Sequence, residues 1–529
     1  MELKNIFRIS LVAAAVSLTA CGGDINITPT VNDNSTVTDN SVNNSNNVAA
    51  PEPVVAVECA SYESSVGTVE GVQSGDDCLY NDSFASKNIS IMSNITFEAL
   101  PNNGVHVFDN ALQIGEDGDT TTGFVVPENG PTMTVKPGAT LAFKSGEAII
   151  RIARGAKIQA IGTIDAPIVF TSANAFPRLD DAGQGAQFAD WGGIIINGNG
   201  ITDQCTDAER AASTCNVASE GITSYFGGND NADSSGSIKY AKVWYAGSGP
   251  RVGGEGDDLN SLTLNAVGSG SSFDYIHIHQ GFDDGIEIFG GATTLSHVAV
   301  TDTQDDSFDF DAGWQGSAEF LFVKHGTVNT RDGQVANMGN NGFETDGEKG
   351  DTSAEAPVTN PTISNVTIIT TDANSVRDDD PSQAFKFDDS VKSMYKNVLV
   401  VKEAGANTSC VEHKADGEKN ADAITFSGSV MACASEFAGE ATFGTSAPVA
   451  LQGTAKTEWF DNGGVNQRIA AGSDVLAADG FSTNTSSTAI TVAADATGAA
   501  NFIGAVSDQD TTSNWYKWVE MAVTAASND

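Results

Sequence analysis

Short apolar runs recur at a fixed interval through the middle of this sequence. The runs at 276–278, 298–300 and 320–322 begin 22 residues apart, and similar runs follow at 366–368, 398–400 and 430–432. A strand repeat of this length without helical periodicity is typical of a β-solenoid, in which each coil buries its apolar face against its neighbours. We therefore predict an all-β fold: a single-stranded, right-handed parallel β-helix (solenoid) with loop insertions.

The rest of the body fits around this repeat. Residues 132–172 alternate apolar and polar positions between glycine turns, as half-buried strands do. The 55 glycines and the low charged fraction of 18% favour many turns over solvated helices. We expect an N-terminal cap with the first strands at 58–130, the β-helix at 131–500 and a C-terminal cap at 501–529. A β-sandwich is the alternative, but it predicts no fixed 22-residue register.

The N-terminus has the pattern of an export signal. Residues 1–20 combine a short basic region with an apolar stretch, and the sequence Leu-Thr-Ala-Cys ends at Cys21. These four residues resemble the lipobox of bacterial lipoproteins, which implies that Cys21 is lipidated. By the same resemblance, Gly22 rather than an aspartate after it implies delivery to the outer membrane. Residues 21–57 contain no aromatic residue, Lys or Arg, so we expect a disordered tether.

Charge and cysteine content narrow the functional classes. The chain has 26 Lys and Arg against 69 Asp and Glu, a net charge of −43, which excludes a nucleic-acid partner. Apart from Cys21, six cysteines remain, an even number that favours disulfides in an exported protein. We expect nearest neighbours to pair, although the sequence alone leaves other connectivities open. The expected pairs are Cys59 with Cys78, Cys205 with Cys215, and Cys410 with Cys433.

Acidic residues repeat in register with the strands. The segments DDGIEIF at 283–289, DDSFDFD at 305–311, NNGFETD at 340–346 and SQAFKFD at 382–388 align with one another. Strand alternation then sends one column of side chains inward and two columns outward. The inward column is Ile286, Phe308, Phe343 and Phe385. The outward columns are Glu287, Asp309, Glu344 and Lys386, and Asp311, Asp346 and Asp388.

Carboxylates on adjacent coils repel one another unless something compensates their charge. Close groups of oxygen ligands suit calcium, which accepts irregular geometry. The sequence leaves two readings open: bound calcium, or a solvated acidic face of a halophilic surface protein. The candidate calcium ligands are Asp283, Asp284, Glu287, Asp305, Asp306, Asp309, Asp311, Glu344 and Asp346.

The same residues allow a catalytic reading. Asp284, the Gln-Asp-Asp at 304–306 and the Lys-His-Gly at 324–326 resemble, in order and spacing, the motifs of right-handed β-helix glycosidases that act on galacturonan. The resemblance implies Asp284, Asp305 and Asp306 as general acid and base, with His325 supporting the charge. The chain departs from that pattern because it has no Arg-X-Lys, which would hold a sugar carboxylate. A lyase would need a cationic base, for which Arg331, Lys349 and Arg377 are candidates.

Three segments carry a broader resemblance: WGGIIINGNG at 191–200, DDGIEIFGG at 283–291 and DDSFDFDAGWQG at 305–316. They resemble the right-handed parallel β-helix lipoproteins and secreted surface proteins of marine proteobacteria and Bacteroidetes. The resemblance covers about residues 130–520 and implies a fold and a cell-surface location. We expect a calcium-stabilised, non-catalytic β-helix that contacts extracellular polysaccharide or a protein. The alternatives are a polysaccharide-degrading enzyme and a ligand-capture partner of an outer-membrane transporter.

Overall fold

The structure is a computed structural model that describes residues 58–249, 258–347, 356–377, 379–388, 391–402, 408–413, 423–441 and 449–527. The predicted signal sequence, Cys21 and the tether lie outside the described residues. Lys349 also lies outside them.

The first half of the body consists of short strands. They are β1 Ser61–Ser64, β2 Gly67–Glu70, β3 Val72–Ser74, β4 Asp77–Tyr80, β5 Ser90–Ile91, β6 Ile95–Phe97, β7 His106–Phe108, β8 Leu112–Ile114, β9 Thr132–Val135, β10 Thr140–Phe143, β11 Ile150–Ile152, β12 Lys157–Ile161, β13 Ile168–Ser172, β14 Ile194–Asn197, β15 Val217–Ala218 and β16 Tyr225–Phe226.

The second half alternates longer and shorter strands. They are β17 Gly236–Trp244, β18 Leu262–Asn265, β19 Ser272–His279, β20 Ile286–Phe289, β21 Thr294–Thr301, β22 Phe308–Asp311, β23 Ser317–Lys324, β24 Thr327–Asn329, β25 Val335–Asn337, β26 Asn341–Thr345, β27 Thr362–Thr370, β28 Gln383–Phe387, β29 Ser393–Lys402, β30 Val411–His413, β31 Ile424–Ser427, β32 Val430–Ala432, β33 Phe437–Ala441, β34 Val449–Ala450 and β35 Gln467–Ile469.

Helices are few among the described residues. The α-helices are α1 Asp207–Ala211, α2 Thr454–Lys456 and α3 Asn514–Ala526. Single helical turns of other types lie at Pro101–Asn103, Thr120–Thr122, Ala173–Ala175, Thr457–Asp461 and Asn462–Gly464. No helix in the described part of the chain is long and apolar enough to cross a membrane.

One strand from each coil stacks into what we call the short-strand sheet. Its order is β5, β8, β11, β14, β18, β20, β22, β26, β28, β30, β33 and β34, and the pairs are parallel up to β33. The long strands β17, β19, β21, β23, β27 and β29 pair in parallel on the other sides of the coils. The predicted parallel β-helix is therefore confirmed.

The strand register agrees with the sequence alignment. Ile286 pairs with Phe308, Phe308 with Phe343, and Phe343 with Phe385. All four side chains are fully buried, and the rings of Phe308 and Phe343 stack with centroids 4.9 Å apart. The predicted inward column is confirmed, and strand alternation places the carboxylates of the same strands on the outer side of this sheet.

Each long strand bends at a residue with positive φ. These corner residues are Tyr240, Tyr275, His297, Phe320, Asn365 and Asn397, with φ between 48° and 56°. Their side chains form a ladder on the outside of the bend, where the rings of Tyr275 and His297 stack 4.4 Å apart. Asn397 continues the ladder and holds the C-terminal segment through its side-chain amide, which donates to Asp495 O and Ala500 O.

The C-terminal segment lies along the side of the middle coils. Helix α3 packs on β19 and β21, and its Trp518 is fully buried there. The predicted cap at 501–529 therefore does not cover the end of the last coil. The reason is that Ala299 and Phe322 are apolar side chains on an outer face of the coils, and this segment buries them.

The disulfide pairing is confirmed. The three bonds join Cys59 to Cys78, Cys205 to Cys215, and Cys410 to Cys433. The second bond lies in the insertion after β14, which is held to the coils by the buried side chain of Arg154. Its guanidinium donates to Cys215 O at 3.2 Å and to Gly227 O at 3.1 Å. This insertion brings Glu220 to the outer side of the short-strand sheet.

Candidate functional site

Carboxylates from successive coils converge on one cavity of about 220 Å³, which we call the acidic cavity. Strands β20, β22 and β26 place Glu287, Asp309 and Glu344 side by side, because these residues pair in register. The turns before β20 and β22 add the two aspartate pairs. The lining residues are Glu220, Asn260, Asp283, Asp284, Glu287, Asp305, Asp306, Asp309, Glu344 and Arg377. Eight carboxyl groups thus share one arginine among the lining residues.

Two of these aspartates also connect one coil to the next. Asp284 Oδ1 accepts a hydrogen bond from the backbone N of Asp306 at 3.0 Å, and Asp306 Oδ1 accepts from the backbone N of Asn341 at 2.7 Å. Asn260 makes the same link one coil earlier, from its Oδ1 to the backbone N of Asp284 at 3.1 Å. Since an amide performs this task at Asn260, the negative charge of Asp284 and Asp306 is not needed for it.

The first acidic group consists of Asp283, Asp284 and Asp305, each of which offers an oxygen within 4.8 Å of the others. Arg377 already neutralises part of this group. Its Nη2 lies 3.0 Å from Asp283 Oδ1, and its Nε lies 2.7 Å from Asp305 Oδ2. The same Nη2 lies 3.1 Å from Oδ2 of Asp258, which is not among the residues that line the cavity.

The second acidic group consists of Asp284, Glu287 and Asp309, whose oxygens also lie within 4.8 Å of one another. Glu287 accepts a hydrogen bond from the side-chain amide of Asn260. Asp309 Oδ1 is buried and accepts no hydrogen bond from the described residues. Two oxygens bound to one calcium ion at about 2.4 Å lie at most about 4.8 Å apart, so this all-oxygen group fits calcium.

A third group of Glu344, Asp346 and Asp388 lies at the end of the same strands. Lys386 Nζ forms an ion pair with Glu344, which neutralises part of the group. Burial disfavours the charge of Lys386, but Glu344 and the surrounding carboxylates outweigh it and raise its pKa. Asp311, the remaining predicted ligand, accepts a hydrogen bond from the backbone N of Ala312.

The cavity disfavours negative charge on its carboxyl groups. Burial is the largest cause, and neighbouring carboxylates add to it, so the pKa of each group lies above its ordinary value. The groups with raised pKa are Asp283, Asp284, Glu287, Asp305, Asp306 and Asp309. Such a site is stabilised by taking up either protons or a cation.

Residues 111–472, about two thirds of the chain, match the profile of a protein family described as "pectate-lyase like beta helix domain". The chain belongs to this family. No curated protein and no solved structure matches the chain. The matched residues contain all the residues that line the acidic cavity.

The residues of the catalytic reading are only partly brought together in this pectate-lyase-like β-helix. Asp284, Asp305 and Asp306 line the cavity. His325 does not line it: the ring is 2% exposed, with Nδ1 2.7 Å from Ser382 Oγ and Nε2 3.4 Å from Ser307 Oγ. Burial lowers the pKa of His325 to about 3, so the ring is neutral at ordinary pH.

The candidate lyase bases differ in position. Arg331 contacts Asp190 at 2.6 Å, away from the cavity, while Arg377 lies within it. Burial opposes the charge of Arg377, but Asp283, Asp305 and Asp258 outweigh it and raise its pKa above the ordinary value. An arginine held in its charged form in this way is a poor proton acceptor.

Sequence reasoning missed three contributors to the cavity. Glu220 comes from the disulfide-bonded insertion and Asn260 from the coil before the aligned repeats, while Asp258, two residues before Asn260, contributes through its ion pair with Arg377. Asn260 occupies the register position of Asp284 and Asp306, because Leu262 pairs with Ile286. Extending the alignment one coil towards the N-terminus would have found it, whereas no sequence signal marks Glu220.

Proposed function

We propose that this protein is a non-catalytic, calcium-dependent β-helix that binds an acidic polysaccharide at the bacterial surface. The observation that carries the proposal is the acidic cavity, in which eight buried or half-buried carboxyl groups share one arginine. Calcium would supply positive charge to these groups and a bridge to the carboxylates of the polymer. Without such a bridge, a chain of net charge −43 repels a polyanion.

The second acidic group is the part of the cavity best suited to hold calcium. Asp284, Glu287 and Asp309 supply oxygen ligands at calcium spacing, and the ion pairs of Arg377 and Lys386 with described residues go to other carboxylates. The buried Oδ1 of Asp309, which accepts no hydrogen bond there, is a free ligand position. The first and third groups already hold Arg377 and Lys386.

The test is calcium-dependent binding of polygalacturonate and alginate, measured by isothermal titration calorimetry with calcium and with a chelator. We expect binding only with calcium, and we expect Asp309→Asn to abolish it. Asp181→Asn is the matched control, because Asp181 is an exposed loop residue outside the cavity. Binding that is unchanged by chelator or by Asp309→Asn would contradict the proposal.

Polysaccharide degradation is the second candidate, and the family membership favours it. Two features of the cavity weigh against it. The paired carboxylates lie closer than the roughly 6.5–9.5 Å that inverting glycosidases use, and Arg377 is held charged. Incubation of the same polysaccharides with the calcium-loaded protein decides the matter: new reducing ends or unsaturated products would establish turnover and replace the binding role.

We propose that Cys21 anchors the protein in the outer membrane, as the Leu-Thr-Ala-Cys sequence implies. Two or more acyl chains hold a protein stably on a bilayer, whereas one chain does so only marginally. We expect fractionation to place the protein with the outer membrane and Cys21→Ser to release it. Cross-linking of intact cells tests whether an outer-membrane transporter is the partner.

A further inference from the structure

Arg377 reaches the acidic cavity from a loop, not from the repeated strands. The loop connects β27 and β28, and it places the guanidinium within 3.1 Å of Asp258, Asp283 and Asp305. The side chain is only 9% exposed. An arginine carries its charge at any ordinary pH, so this group is a permanent cation inside the cavity.

The loop is anchored by the two residues directly before Arg377. Ser375 donates a hydrogen bond from its Oγ to Gln304 O, and the backbone N of Val376 donates to Asn337 O at 2.8 Å. The guanidinium also lies over the ring of Phe282, 5.3 Å from its centroid. These contacts fix the arginine in place, so that it occupies its position without first having to be ordered.

Arg377 and a metal ion would use the same ligands. Asp283 and Asp305 belong to the first acidic group, and both contact the guanidinium. A divalent ion in that group would have to displace Arg377 or lie against its positive charge, and either is unfavourable. The second acidic group shares Asp284 with the first, but the ion pairs of Arg377 with described residues go to Asp258, Asp283 and Asp305.

We propose that Arg377 is a tethered counterion that keeps calcium out of the first acidic group and so limits these two groups to one calcium ion. The inference rests on the proposed calcium-dependent function. One ion then sits at Asp284, Glu287 and Asp309, and the guanidinium takes the position that a second ion would otherwise occupy. Arg377 thereby determines how much positive charge the cavity presents to a ligand.

Calorimetric titration of the full-length protein with calcium tests this role. We expect Arg377→Gln to bind one more calcium ion per chain than the wild type and to bind calcium roughly tenfold tighter or more, because a nearby positive charge is removed. Arg331→Gln is the matched control, since Arg331 makes a comparable ion pair with Asp190 outside the cavity. It should behave as the wild type does.

A second pair of variants keeps the test valid if Arg377→Gln does not fold. Asp305→Asn, in the first group, removes a nearby negative charge but no ligand of the second group, so it should weaken calcium binding by roughly tenfold, whereas Asp309→Asn, in the second group, should abolish binding. Loss of binding in Asp305→Asn overturns the role of Arg377, and so does an Arg377→Gln titration identical to the wild type. A wild type that binds no calcium overturns the calcium proposal itself, so the two failures are distinguishable.

Discussion

Asp284 is the residue at which the structure makes its sharpest prediction, because it performs two separable tasks. Its Oδ1 accepts a hydrogen bond from the backbone of the next coil, and its carboxylate belongs to both the first and the second acidic groups. Asparagine keeps the acceptor, as Asn260 does one coil earlier, but it removes the charge. We expect Asp284→Asn to change stability in opposite directions with and without calcium.

The magnitude follows from the spacing. Two carboxylates 4.8 Å apart repel by about 3.5 kcal/mol at an effective dielectric constant near 20, and partial protonation reduces this. In chelator we therefore expect Asp284→Asn to raise the free energy of unfolding by about 1–3 kcal/mol. In calcium the variant loses a shared ligand, and a tenfold loss of affinity removes about 1.4 kcal/mol of the stabilisation that the ion provides.

Urea unfolding at slightly alkaline pH, with chelator and with calcium, measures both effects. Asp284→Ala is the control, because it removes the charge and also leaves the backbone N of Asp306 without its acceptor, at a cost of about 1–3 kcal/mol. Alanine should therefore be less stable than asparagine under both conditions. An Asp284→Asn variant that is less stable than the wild type in chelator would refute the reasoning, since charge repulsion could not then be the dominant effect.

Three further predictions concern the scaffold. Burial lowers the pKa of His106 to about 4, so between pH 6.5 and 4 the unfolded chain takes up a proton that the folded chain does not. The free energy of unfolding should therefore fall as the pH drops below 6.5. In urea unfolding, His106→Gln should remove about 3 kcal/mol of that loss by pH 4. Asn397→Ala should cost roughly 3 kcal/mol in thermal unfolding, and Asn397→Gly less, because glycine tolerates the positive φ. Replacing Cys410 and Cys433 by serine should cost about 3 kcal/mol by the same assay.

The fold was predictable because the repeat carries its own register. Runs 22 residues apart fix which residues pair on adjacent coils, and the pairing of Ile286 with Phe308 follows directly. The corner residues were not predictable. Bulky residues such as Tyr275 and His297 normally adopt negative φ, and here both have positive φ. Stacking along the ladder and cover from the C-terminal segment stabilise them, and neither is visible in the local sequence.

The site was predictable where it follows the strands and not where it depends on loops. The outward column of Glu287, Asp309 and Glu344 follows from strand alternation and pairs as expected. The position of Arg377 depends on how the loop before β28 folds back, which no periodicity encodes. The hydrogen bond from Asp284 to the next coil was also not predictable. The sequence pattern of an aspartate before a strand is the same whether its oxygen faces water or accepts from the backbone of the next coil.

The distribution of the carboxylates distinguishes the two readings that the sequence left open. A solvated acidic face would spread charge over exposed positions, but Asp284 and Glu287 are each only 7% exposed. Along the outer column, the unbroken acidic stretch begins after Thr263 and is interrupted at Lys386, so it occupies three successive strands; Glu412 follows beyond the lysine. Concentrating buried like charges on three coils destabilises the fold unless bound protons or a cation offset the repulsion. The arrangement therefore favours a ligand-binding site over a surface adapted to salt.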